Sequence, residues 1–301
     1  MYFPRKYSAK VLTINLANKN VALIGAGRVG RSIMVSLVEA GYTPAAIISG
    51  SVNSAKSLAD RVGTDSFGTG YDILTEDTDL IIIAVQDDRL ENVVAKLASN
   101  LKFPHEPLIV HTSGIQESTI MESLLQKGAG IASIHPAASF PENKILPLKD
   151  VRFGVEGVNA EEAVELVKFM GGIPFMIETG KKALYHAACT VASGYLNTLL
   201  TVSEELMVRA GVDSPKSIIS DLAKTALNGW DETGFAAITG SIARGDVDSV
   251  RKHIGSLDKN DKNRAVYMEL ALKTIELCEG EGLIDEQTSL NMKGNLIPVT
   301  P

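Results

Sequence analysis

Hydrophobic positions along this chain follow two different rules, and the change between them falls near Gly180. From about Asn20 to Glu178, short β-branched runs alternate with amphipathic segments: NVALIG, AAIISG, DLIIIAV, PLIVHTSG, GIASIHP, VRFGVEG and IPFMIE. Runs that are apolar on both faces, separated by helix-length stretches, predict a mostly parallel sheet with helices on both faces. The helical period places those helices at Arg28–Ala40, Ser54–Arg61, Arg89–Leu97, Glu117–Gln126 and Ala160–Met170, the last stopped by Gly171-Gly172. After Lys181 only the helical period remains, at Lys182–Ala210, Pro215–Asn228, Val247–Ile254 and Asp261–Glu279. Ser214 reads as an N-cap ahead of Pro215, and NLIPVTP at the end as a loose tail. The fold class is therefore α/β followed by an all-α domain, with domains at 1–180 and 181–301.

One stretch breaks the apolar pattern in an ordered way. Tyr185 to Ser203 carries no formal charge and is apolar enough for a core, yet His186, Thr190, Ser193 and Asn197 interrupt it. At about 100° per residue these four return to nearly one azimuth of an α-helix. Solvated helix faces carry Lys, Glu or Arg, whereas small neutral polar groups on an apolar helix need defined partners. The stripe is expected to line a partly dehydrated cleft between the helical domain and the ligand side of the sheet. The alternative is a set of polar groups satisfied within a helical core or a dimer interface.

Composition narrows the class. With 301 residues the chain has room for two domains of roughly 150 residues. A net charge of -7 leaves no basic face for nucleic acid or an anionic membrane. The two cysteines, Cys189 and Cys278, read as reduced thiols, and the first twenty residues lack an apolar signal core. No apolar run approaches the roughly 20 residues of a membrane span, so the expectation is a cytoplasmic protein.

The first run leads into Gly25-x-Gly27-x-x-Gly30 between a predicted strand and a predicted helix. In that setting the first glycine permits the tight turn and the second lets the backbone approach a pyrophosphate. The third allows close helix–strand packing, and the helix N-terminus supplies amide donors. The cofactor-binding candidates are Gly25, Gly27, Arg28, Val29, Gly30, Ser49, Ser51 and Gln86. An NAD site usually ends its second strand with a carboxylate that holds the ribose hydroxyls. Here that end reads Ser49-Gly50-Ser51, with Asn53 and Lys56 beyond and no acid. Hydroxyls and a cation suit a 2′-phosphate, so NADP is favoured over NAD. Arg28 and Lys56 are the available cations, although Lys56 also reads as a solvated helix residue.

Ligands in open α/β sheets lie beyond the carboxyl ends of the strands. Three strand ends stand out there. Asp87 or Asp88 after DLIIIAV reads as a helix cap. His111, Thr112, Ser113 and Gly114 form a dense set of donors, and His135 ends the next run. The catalytic candidates are His186, His135, Ser113, His111 and Asn197, with the choice among the histidines open. The five histidines show no metal-ligand spacing such as HxxxH, so no metal is expected.

Taken in order, GAGRVG, VHTSG, IHP, ALYHAACTVASGYL and TGSIARGD resemble a bacterial and archaeal family that pairs a Rossmann-like domain with a helical C-terminal domain of unknown function. That family is similar to the 6-phosphogluconate dehydrogenase, ketopantoate reductase and β-hydroxyacid dehydrogenase group. The resemblance implies NADP-dependent oxidoreduction and a homodimer through the helical domain. In the β-hydroxyacid relatives a lysine near the start of the long helix protonates the substrate oxygen. By that resemblance His186 occupies a similar place, the lysine acid is missing, and histidine is its only evident replacement. Ser113-Gly114 resembles the substrate-contacting serine–glycine of the same group. Ser113 with His135-Pro136 also resembles the serine and His-Pro of prephenate dehydrogenases, whose lysine after the serine is absent here. Two departures accompany the resemblance: Ser49-Gly50-Ser51 stands where Ser-Arg-Ser is expected, and Ser193-Gly194 where Ser-Asn is expected. Arg244 is a candidate for an anionic substrate group and Asp246 a cap for the helix at Val247.

These readings converge on hydride transfer between nicotinamide and a small carbonyl or hydroxy substrate. The alternatives are a non-catalytic NADP(H)-binding regulatory protein and an imine reductase of the pyrroline-5-carboxylate reductase type.

Overall fold

The structure is a computed structural model that describes residues 19–100, 104–142 and 144–296. The expected leader-free start and most of the expected tail lie outside these residues; Asn295 and Leu296 close the last helix. Eight strands form one sheet: β1 (Asn20–Ile24), β2 (Thr43–Ile48), β3 (Phe67–Gly68), β4 (Leu80–Ile83), β5 (Leu108–His111), β6 (Gly130–Pro136), β7 (Arg152–Glu156) and β8 (Ile173–Met176). Helices α1 (Arg28–Glu39), α2 (Val52–Val62), α3 (Asp87–Asn100), α4 (Glu122–Leu125) and α5 (Ala160–Phe169) connect them. Then come α6 (Lys182–Thr190), a π-helical turn (Val191–Tyr195), α7 (Leu196–Arg209), α8 (Pro215–Thr233), α9 (Val247–Ser256), α10 (Lys262–Gly280) and α11 (Glu286–Leu296).

The strand order is β3-β2-β1-β4-β5-β6-β7-β8, parallel at every pair except the antiparallel β6–β7. The chain winds outward from β1 to β3, then returns to place β4 on the other side of β1. That reversal is the topological switch point where open sheets bind ligands. Alternation along β1 divides the core between the two faces. Val21 and Leu23 pack with Ile33, Met34 and Leu37 of α1 and Leu166 and Val167 of α5. Ala22 and Ile24 pack on the opposite face with Leu90, Val93 and Leu97 of α3. Each fully buried Leu or Ile contributes about 1.5–3 kcal/mol by leaving water, and both faces of the strands collect that gain.

The chain divides into two compact units, residues up to Ser193 and those from Gly194 on. α6 and the first residues of the π turn group with the sheet. The second unit has a small core of its own in which Val250, Ile254, Ile275, Cys278, Met292 and Leu296 meet from α9, α10 and α11. Asp246 caps α9 as expected, its carboxylate accepting from the Ser249 amide at 3.0 Å. Ser214 occupies the N-cap position of α8 but makes no side-chain cap; its φ of 55° is left-handed.

Several elements differ from the sequence reading. β3 and α11 carry no signal there; β3 is two residues at the sheet edge, and in α11 only Ser289, Met292 and Leu296 are buried. The Glu117–Gln126 helix is a 3₁₀ turn followed by one short α-turn. The largest correction concerns the apolar stretch after Tyr185. It is one helical run but not a core helix, since no residue from Val191 to Arg209 is buried.

Candidate active site

The glycine turn follows β1 at the switch point, and each glycine has its own reason. Gly25 sits at φ +109°, and a Cβ there would lie 2.3 Å from the Ala84 carbonyl oxygen. At Gly30 a Cβ would lie 2.0 Å from the Gly25 carbonyl oxygen, so only hydrogen lets α1 approach the strand turn. At Gly27 a Cβ would meet nothing within 4 Å. The second glycine therefore faces open space where a diphosphate could lie against backbone. α1 begins at once, with Gly27 as N-cap and no side-chain cap, leaving its first amides for an anion. These residues fit a dinucleotide. Val29 packs on the core, while Arg28 and Gln86 are exposed. Ser51 caps α2 by accepting from the Ser54 amide at 3.4 Å, and Ser49 donates its amide to the Gly68 carbonyl at 3.0 Å.

The two cations singled out for a 2′-phosphate are already engaged. Lys56 pairs with Asp60 at 2.9 Å on the surface of α2. The Arg28 guanidinium donates to the Phe140 carbonyl at 3.4 Å.

Two of the catalytic candidates, His135 and His186, meet at the carboxyl ends of β5 and β6. A Cβ on Gly114 would stand 2.4 Å from His186 Cδ2 and 2.8 Å from His135 Nε2, so both rings abut this one glycine. The two imidazoles meet edge to face with centroids 5.8 Å apart. Tyr185 Oη lies 2.8 Å from His135 Nδ1. These rings open onto a cleft of about 420 Å³ lined by His135, Ala138, Ser139, His186, Cys189 and Ser193, among others.

Electrostatics divide the roles. Burial, with the charges of His186 and Lys182, pushes the His135 pKa down to about 4, so His135 is neutral near pH 7. Burial and the neighbouring Cys189 raise the Tyr185 phenol, keeping it protonated and able to donate to His135 Nδ1. In that arrangement His135 carries its proton on Nε2, beside Gly114. His111 is fully buried, and burial with the charge of Lys182 pushes its pKa to about 3. Its Nδ1 accepts the Ser113 amide at 3.2 Å, which makes it a brace for the loop, sealed from the cleft. Ser113 is also buried, and its hydroxyl accepts from the Ile115 and Gln116 amides at 3.2 and 2.9 Å.

Beneath the cleft lies a residue the sequence reading overlooked. Lys182, one helical turn before His186, has no solvent exposure. Its ammonium donates to the Ser113 carbonyl at 2.7 Å and to the Ser133 hydroxyl, and sits 3.6 Å from Glu156. Glu156 in turn accepts from the Ser118 amide at 2.7 Å and the Ser118 hydroxyl at 2.9 Å. Burial pushes the Lys182 pKa down to about 8 against the pull of Glu156. A lysine near the start of the long helix is thus present, contrary to the sequence reading. It is enclosed by the loop it holds and does not face the cleft. The available signal was Lys181-Lys182 placed directly ahead of an uncharged helix.

Three of the four residues of the expected polar stripe, His186, Thr190 and Ser193, line the same cleft, and Asn197 does not. Thr190 and Ser193 turn their hydroxyls onto the His186 and Cys189 carbonyls of their own helix, at 3.0 and 2.7 Å. The π turn then adds a residue to the winding, so regular α spacing no longer carries the stripe to Asn197. Asn197 is exposed and belongs to the second unit, as does the exposed Arg244. Among the described residues no helix is long and apolar enough to cross a membrane.

Comparison with known proteins agrees with this architecture. Residues 4–136 match the model of a Rossmann-like domain, and residues 151–274 match a domain of unknown function, DUF2520. The fold is similar to that of protein TM1727 from Thermotoga maritima, at 25% identity and TM-score 0.69 over 87% of this chain and 99% of that one. It is similar also to BF3122 from Bacteroides fragilis, a presumed NADP oxidoreductase, at 18% identity and TM-score 0.69 over 87% and 99% of the two chains. A pyrroline-5-carboxylate reductase from Coxiella burnetii shares the fold at 15% identity and TM-score 0.55, over 93% and 98%. The sequence matches no curated protein. The chain thus carries a Rossmann-like domain followed by a DUF2520 domain.

Proposed function

We propose that the protein is an NADP-dependent oxidoreductase acting on a small carbonyl, hydroxy or imine substrate. The observation that carries this reading is the packing of His135 and His186 against Gly114 at the strand ends, on the same edge of the sheet as the glycine turn. With neighbouring strands about 4.8 Å apart, β5 and β6 stand roughly 10 and 14 Å from β1, so one ligand side serves both features. A bound nicotinamide would supply or accept the hydride, which is the cofactor's own chemistry.

The chain's residues position the substrate and move its proton. His135, neutral and oriented by Tyr185, donates a hydrogen bond from Nε2 to the substrate oxygen or nitrogen. His186, on the cleft wall within reach of the same substrate atom, exchanges the proton. Lys182 fixes the Ser113 carbonyl and so the Gly114 turn against which both rings rest. The likeness to BF3122 supports NADP, and the likeness to the pyrroline-5-carboxylate reductase favours the imine among the substrate types.

The same reading includes a homodimer through the second unit. α8 buries only Pro215 and Ile219, while Leu222 and Trp230 are 60% and 65% exposed beside Ile218 and Leu227. A run of large apolar side chains on one helix is what a partner surface covers. Leu222→Lys with Trp230→Glu is expected to turn a dimer into a monomer by light scattering.

The test of the function is a panel of 2-keto acids, 3-keto acids and cyclic imines, followed by NADPH oxidation at 340 nm, an absorbance set by the cofactor. Turnover of one class, reduced about 10²–10⁴-fold in both His135→Ala and His186→Ala, is the expected result. Tight NADPH binding with no transfer to any member would instead make the protein a nucleotide-responsive regulator.

A further inference from the structure

The end of β2 lacks the arginine expected in its Ser-Arg-Ser pattern, and Gly50 stands in its place. The structure shows what occupies the vacated volume. A Cβ on Gly50 would have one neighbour within 4 Å outside its own stretch of chain, Arg89 Nη1 at 3.6 Å. Arg89 belongs to the first turn of α3, directly after β4, and reaches across the switch point to the β2 end. Its guanidinium lies on a pocket of about 360 Å³ whose lining includes Gly25, Ser49, Gly50, Thr69 and Tyr71. That lining holds two cations, Arg89 and Lys96, and no carboxylate.

Arg89 is exposed, and among the described residues its guanidinium makes no hydrogen bond or ion pair. By contrast Lys56 is tied to Asp60, Arg28 to the Phe140 carbonyl and Arg31 to the Glu142 carbonyl at 2.8 Å. A planar guanidinium with its fork unengaged, on a pocket shared with Ser49 and Thr69, is matched to a phosphate dianion. A bare ribose diol would find no carboxylate here to accept from it.

We propose that Arg89 supplies the phosphate contact that position 50 has lost, so that the pocket holds a 2′-phosphorylated adenosine ribose in preference to the unphosphorylated one. This rests on the cofactor reading above and adds the residue that sets the choice between NADP and NAD. The exchange is stereochemically self-consistent. Gly50 has no positive φ, and the approach of Arg89 to a Cβ there is an ordinary van der Waals contact, so either position can carry the arginine.

The experiment uses the full chain and two cofactor fragments that cannot transfer hydride, 2′-phospho-ADP-ribose and ADP-ribose, titrated by calorimetry. The wild type is expected to bind the phosphorylated fragment the more tightly. Arg89→Ala should weaken that fragment by roughly 10- to 100-fold, the scale of a hydrogen bond to a charged group, and leave ADP-ribose within about twofold. Gly50→Arg in the Arg89→Ala background should restore the preference. Equal affinities in the wild type, or an equal loss for both fragments in Arg89→Ala, would overturn the assignment while leaving dinucleotide binding intact. So would a double variant that binds ADP-ribose as the wild type does and shows no preference. A wild type that binds neither fragment would overturn the cofactor reading, and this inference with it.

Discussion

Two clusters of polar side chains share the carboxyl ends of β5 and β6, and they differ in almost every physical respect. The lower one, Lys182 with Glu156, Ser118, Ser133 and the Ser113 carbonyl, is dry and fully paired. The upper one, His135, Tyr185 and His186, opens onto a cleft and keeps ring nitrogens for a ligand. A buried charge is tolerable only when its partners are complete, so the lower cluster has no capacity left for substrate. Chemistry-bearing residue types are thus not evidence of chemistry by themselves. Accessibility and unspent hydrogen-bonding capacity separate the group that acts from the group that holds it in place.

The comparison breaks most visibly if the lower cluster loses one charge. Glu156→Ala leaves a buried lysine unpaired and is expected to cost about 3–5 kcal/mol of unfolding free energy by urea titration. Glu156→Ala combined with Lys182→Met should recover a good part of that loss, because no orphan charge remains. A single variant as stable as the wild type would show that the cluster is not the sealed pair described.

Acid acts on the same region more gradually. His111 titrates at about 3 in the fold but at about 6.5 when unfolded. Between those values the unfolded chain binds more protons, so stability present above about pH 6.5 is lost as pH falls, at up to 1.4 kcal/mol per pH unit. His135, lowered to about 4, adds a loss of the same sign. Denaturation from about pH 6.5 to about pH 4.5 should show this decline, and His111→Asn should flatten it.

Gly114→Ala strikes the contact between the clusters. Its Cβ would lie 2.4 Å from His186 Cδ2, so a ring must move, at about 1–3 kcal/mol for the overpacking. NADPH affinity should persist while turnover is lost, which separates ring placement from cofactor binding. At the small end, Lys56→Ala removes an exposed pair with Asp60 and should change stability by less than about 0.5 kcal/mol.

What could be read from the sequence follows the range of the interactions. The glycine turn is local, and its spacing alone predicted the tight turn at Gly25 and the close helix–strand packing at Gly30. The strands were legible because both faces are buried and the β-branched runs are continuous. Lys182 was not, because its burial depends on Glu156 and Ser113, which only the tertiary fold brings near it. The π turn at Val191–Tyr195 has no local composition that announces it, and it interrupts the regular helical spacing before Asn197. The apolar length of the same segment is no guide to burial in the single chain, since no residue from Val191 to Arg209 is buried. Arg89 was hidden for a related reason. It lies 39 positions from Gly50 in sequence, and only the parallel arrangement of β2, β1 and β4 sets the two side by side.

The account stands on a dinucleotide seated at the glycine turn, and calorimetric titration of the purified chain with NADPH tests that directly. Saturable one-to-one binding that Gly27→Val abolishes, with the fold intact by circular dichroism, is the predicted result, since only a ligand on the open face of Gly27 would meet the new side chain. No heat of binding at any NADPH concentration, or binding indifferent to Gly27→Val, would contradict it.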